Sequence, residues 1–194
     1  MLNTQIIFLT IIIIIIYIFI KTTRNDVLML QSNIDKTFYL VNNFPDKQEA
    51  CDMLGDIKKR LGLLRDFLVK NKMKNRKYIK YINLLDTRFD NIVIKEKTEK
   101  NNFTSYSINK GEEIIFCLRS KNNNELHDLN LVMYVAIHEI SHVACPEIGH
   151  TPLFKKIFKF FLEEAIKIKI YKYDDYYNNI KEYCGIYINE SIID

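Results

Sequence analysis

The stretch HEISHVACPEIGHTPLF, His138–Phe154, gathers three of the chain's 4 histidines into thirteen residues. The segment leading into it, LNLVMYVA, follows Asp128, and Val132, Val135, Ala136, Ile140 and Val143 recur at three- and four-residue steps. That spacing predicts a buried helix over about 129–144 with Asp128 as its N-cap. On such a helix His138 and His142 are i and i+4, so their imidazoles leave one face a turn apart, as two ligands of a single tetrahedral zinc must. Glu139 points about 100° away, a position suited to a general base acting on water at the metal rather than to a ligand.

The helix must end before Pro146, and CPEIG, Cys145–Gly149, reads as a turn. Thr151-Pro152 then supplies an N-cap and a proline at the first helical position. Leu153, Phe154, Ile157, Phe158, Phe161, Leu162, Ala165 and Ile166 give the second helix its apolar stripe. His150 therefore stands at the entrance of a well-anchored helix and is the favoured third ligand. Cys145, Glu147, Glu163 and Glu164 are its rivals. Three protein ligands beside a free carboxylate suit a catalytic zinc, whereas closure by Cys145 would mark a structural one. The fourth histidine, His127, reads as solvent-facing near the helix start.

Outward from this centre the pattern is mixed. A long helix is predicted over about 47–68, capped by Asp46, with Ala50, Met53, Leu54, Ile57, Leu61, Leu64 and Leu68 near one stripe. TSYSI (104–108) and EIIFCL (113–118), joined by Asn109-Lys110-Gly111, read as a β-hairpin, and IVIKEK (92–97) as a further strand. The run NKMKNRKYIKY, 71–81, reads as a solvated loop and helix end rather than a contact for nucleic acid or lipid. Hydrophobic content of 48%, charged content of 27% and a net charge of +4 over 194 residues fit one folded domain and do not argue for a nucleic-acid partner. Cys51, Cys117, Cys145 and Cys184 form no CxxC pair and read as free core thiols in a reducing compartment.

The first 24 residues stand apart. Residues 2–20 carry no charge, and 19 residues of helix reach ~28 Å, the hydrocarbon thickness of a bilayer. No basic residue precedes the run and Lys21 and Arg24 follow it, which predicts an uncleaved single-pass anchor over 1–24, a lipid-bilayer contact through 2–20, and the domain 25–194 on the cytoplasmic side.

HEISH…GHTPLF resembles the HELxH…H(S/T)PxFW pattern of SprT-like and WLM-type zinc metallopeptidases. Segments similar to NNFPDKQEACDML (42–54), INKGEEIIFCLRS (108–120), the stretch 138–168 and KEYCGIYI (181–188) occur in this order in zinc metallopeptidases of nucleocytoplasmic large DNA viruses. The resemblance implies an α+β zincin-like domain, one Zn2+ per chain held by His138, His142 and His150, and Glu139 as catalytic base in hydrolysis of a protein or peptide substrate. Lys155 stands where the pattern often has Trp. Two other readings remain at this stage: a zinc-binding interaction protein of a membrane without turnover, and a protease acting on DNA-bound proteins. Tyr183, in EYCG (182–185), reads as structural rather than as an oxyanion donor.

Overall fold

In the computed structural model, residues 2–23, 26–98 and 104–193 are described, and within the first helix the side chains of 6–17. The elements run α1 (Leu2–Thr23), β1 (Val27–Gln31), β2 (Phe38–Asn42), α2 (Lys47–Asn71), a 3-10 turn (Arg76–Tyr78), α3 (Ile79–Phe89), β3 (Val93–Glu96), β4 (Tyr106–Ile108), β5 (Glu113–Phe116), α4 (Leu129–Ala144), α5 (Pro152–Lys167), β6 (Lys181–Tyr183) and β7 (Ile186–Ile188). The fold is mixed α+β.

The centre is α4. Its sequence is apolar on nearly every side, and it is touched by α2, α3, α5, β4 and β5, so almost every residue from Leu131 to Ala144 is buried. The Asp128 carboxylate caps it, accepting from the Asn130 N–H at 2.9 Å. Helix α2 buries the stripe Ala50, Leu54, Ile57, Leu61, Leu64 and Leu68 beneath it. Asp46 does not cap α2 with its side chain; instead it pairs at 2.7 Å with Arg119, which also holds Glu96 at 2.9 Å. A buried guanidinium recruits both carboxylates, because leaving any of these charges unpaired costs more than losing a cap.

The three-stranded sheet has the order β3-β5-β4, with β3 parallel and β4 antiparallel to β5. The β4–β5 turn lies against α4: Gly111 has φ +106 and a Cβ there would meet Val143 at 2.7 Å. Only glycine satisfies both the backbone and the close approach. Two further hairpins, β1–β2 and β6–β7, pair within themselves.

Two expectations about cysteine and histidine are corrected. Cys117 and Cys184 form a disulfide, Cα–Cα 6.1 Å, across a sequence separation of 67; the end of β5 meets the β6–β7 turn in space, which spacing along the chain does not reveal. Cys51 and Cys145 are free and buried. His127 is buried rather than solvent-facing. Its Nε2 accepts the Cys184 N–H at 3.2 Å and its ring lies 5.0 Å from that of Tyr183.

Among the described residues no helix is long and apolar enough to cross a membrane, so the expected span over 2–20 finds no support there. The described side chains of α1 are those of 6–17. Those side chains are all exposed.

Candidate metal centre

His138 and His142 project from one face of α4. His150 arrives from the α4–α5 turn, where Gly149 takes φ +80 and the Thr151 hydroxyl caps α5 by accepting the Phe154 N–H at 3.2 Å. The three Nε2 atoms converge, at 3.2 Å for His138–His142, 3.2 Å for His142–His150 and 2.9 Å for His138–His150. A tetrahedral zinc with Zn–N near 2.0–2.1 Å sets its ligand nitrogens roughly 3.3 Å apart. The triangle thus has the size of one face of that tetrahedron. Burial, reinforced by the other two imidazoles, holds His138 down to about 3; burial, His150 and Lys110 hold His142 at about 4. Both rings are neutral at pH 7, the form that ligates a metal. The residues fit zinc.

Phe154, from the first turn of α5, backs all three rings. It stacks on His142 at 4.0 Å and 19°, and stands 4.9 Å from His138 and 5.0 Å from His150. The turn carrying His150 is tied down from the sheet: Lys110, in the β4–β5 turn, donates to the carbonyls of Cys145 (3.0 Å) and Glu147.

Glu139 shares the cleft with His138, His142 and His150, a cavity of about 830 Å³. It is 4% exposed. Burial raises its carboxyl to about 7, opposed by the hydroxyl and N–H of Ser107 on β4. The rivals for third ligand do not join the histidines: among the described residues, the group able to share one ion is His138, His142 and His150. Cys145 is fully buried and Glu164 pairs with Lys167. The basic run 71–81 spans the end of α2, the 3-10 turn and the start of α3, with Lys74, Arg76 and Lys77 exposed.

Sequence reasoning missed the second wall of the cleft. Hairpin β6–β7 contributes Tyr183, Ile186 and Ile188, facing Ser105 and Tyr106 at β4. Tyr183 is buried, its hydroxyl bonded to Ser105 Oγ, which itself accepts the Cys117 N–H at 2.9 Å. Burial pushes its phenol up. The alternation Tyr183, Cys184-Gly185, Ile186 was the available signal, a two-residue turn too short to stand out.

Against known proteins, no family profile matches the chain. It is 42% identical to protein R325 of Acanthamoeba polyphaga mimivirus over 178 residues, spanning 92% of this chain and 90% of that protein. The chain belongs to that viral family. Protein 136R of Invertebrate iridescent virus 6 is similar as well, 29% identical over 171 residues, with 87% of this chain and 90% of the relative covered. Among solved structures the chain shows a partial likeness to Wss1 of Saccharomyces cerevisiae, at a TM-score of 0.47 and 16% identity, covering 65% of this chain and 84% of that one.

Proposed function

We propose that this member of the family is a zinc-dependent peptidase tethered to a membrane. The observation that carries the reading is the convergence of three Nε2 atoms within 3.2 Å, in one cleft with a buried carboxylate. Zinc, when bound, supplies a Lewis acid that polarises the scissile carbonyl and acidifies water. His138, His142 and His150 would hold it, with Phe154 fixing the rings. Glu139 takes the proton of the attacking water and returns it to the leaving amine; its burial suits a group that must both accept and give a proton near neutrality. Strand β4 pairs with β5 on one side, and its residues line the cleft, so an extended substrate can add alongside it. The Glu139→Gln variant should retain zinc and lose hydrolysis of an unstructured protein by roughly 10²–10⁴-fold. Undiminished hydrolysis in that variant would sink the mechanism.

The tether is read from the uncharged run 2–20 of the sequence. The full-length chain should float with liposomes and resist alkaline carbonate extraction; release into the carbonate supernatant would refute it. Lys21 and Arg24 favour a cytoplasmic domain, while the Cys117–Cys184 bond favours an oxidising space. We read the disulfide as the stronger vote, because two charges bias orientation weakly.

A further inference from the structure

Hairpin β6–β7 has three-residue strands and pairs with no other strand among the described residues. A two-stranded hairpin of that size is marginal on its own in water. Yet Tyr183, Ile186 and Ile188 form one wall of the cleft. Polar attachments hold it at the Tyr183 hydroxyl and the Cys184 N–H, and one attachment is covalent, Cys184 to Cys117 at the end of β5. Cys184 and Gly185 occupy the turn with φ 53 and 85. The left-handed region at both positions calls for Asn or Gly, so a cysteine at the first is held there against backbone preference.

Both half-cystines are buried, and it is a cavity that brings them near solvent. Both cysteines line a second cavity of about 370 Å³ that shares no residue with the cleft, and Lys97 lines it too, its Nζ 3.7 Å from Cys184 Sγ. Cys117 is the more open of the pair, 6% exposed against 1%. A cation beside one sulfur makes that sulfur the better leaving group, since it leaves as a thiolate.

We propose that the Cys117–Cys184 bond is a redox lock on the cleft, opened by a dithiol reductant that enters the second cavity and thereby frees hairpin β6–β7. The reductant's thiolate attacks Cys117 Sγ, and the S–S electron pair departs on Cys184 Sγ beside the Lys97 ammonium. The reductant's second thiolate then attacks its own sulfur in the mixed disulfide and expels Cys117. Two electrons pass to the protein, the reductant leaves as a cyclic disulfide, and its two protons end on Cys117 and Cys184. Release of the hairpin is independent of the peptidase reading above; its consequence for catalysis rests on that reading.

Hydrogen exchange of the full-length chain, measured by mass spectrometry across a dithiothreitol titration, tests this. As the mass rises by two hydrogens, amides of 181–188 should exchange at least about tenfold faster while those of 129–144 stay protected. Lys97→Met should slow reduction about tenfold. A fully reduced chain with an unchanged hairpin would reduce the bond to a static staple, and reduction that occurs only with loss of protection throughout would show that no reductant enters the folded chain; either overturns the lock. Dithiols also bind zinc, so hydrolysis is compared in the Cys117→Ser/Cys184→Ser double variant, where it should fall at least about tenfold; full activity there with a released hairpin would overturn the gating. Absence of hydrolysis in wild type would defeat the peptidase reading instead, and the hairpin's exchange would still decide the lock.

Discussion

Phe154 is the residue on which the geometry of the three histidines turns, since one ring at the start of α5 sets the attitude of imidazoles from two different elements. Held this close without a cation, the imidazoles resist protonation, and this has a measurable consequence. Burial first and neighbouring rings second keep His138 at about 3 and His142 at about 4 in the metal-free chain. An unfolded imidazole takes its proton near pH ~6.5, so below that the unfolded state binds more protons and folding is disfavoured. The loss is about 1.4 kcal/mol per pH unit for His138, and less for His142, which is only half-buried. His127, lowered by burial, pulls the same way, whereas Glu139, raised to about 7, pulls against it between about pH 7 and 4.5 because there the folded state holds its proton and the unfolded state does not. Thermal melts of metal-free protein should therefore fall gently from about pH 6.5 to 4.5, where Glu139 opposes the histidines, and more steeply towards pH 4. A midpoint unchanged over that interval would show that the rings are not held as described.

At the scale of elements, Gly111 joins the sheet to the metal-bearing helix. Gly111→Ala combines a left-handed backbone with a Cβ at 2.7 Å from Val143, so it should cost about 1–3 kcal/mol in thermal or urea unfolding. A cost near zero would mean that the turn does not lie on α4. Caps and stripes made α4 and α5 legible in advance: Asp128 and Thr151 cap as their types suggest, and the apolar residues after them are buried. The β4–β5 hairpin was legible from alternation around Asn109-Lys110-Gly111. The parallel pairing of β3 with β5 was not, because nothing local encodes a partner reached across an intervening strand. Helix α3 hid in a charged context: Ile82, Leu85 and Phe89 are its three buried residues, too few to announce a period. The β1–β2 hairpin, over 27–42, was not read from the sequence.

At the scale of the whole molecule, α4 is the spine, with α5 and the α4–α5 turn completing the histidine site and β4 and β6–β7 walling the cleft. The site was legible because its ligands sit within thirteen residues, and local rules of helix period and capping suffice over that distance. The Cys117–Cys184 bond and the burial of His127 were not, since both depend on where the C-terminal hairpin docks. The claim on which all else rests is the metal centre itself. Its most direct test is the zinc content of the purified full-length chain beside His150→Ala. The account predicts about one zinc per wild-type chain, and affinity weakened by more than roughly a hundredfold in the variant, because losing a ligand must exceed the 10–100-fold cost of losing a group behind one. Wild-type protein that takes up no zinc, or a variant that binds it equally well, would contradict the account.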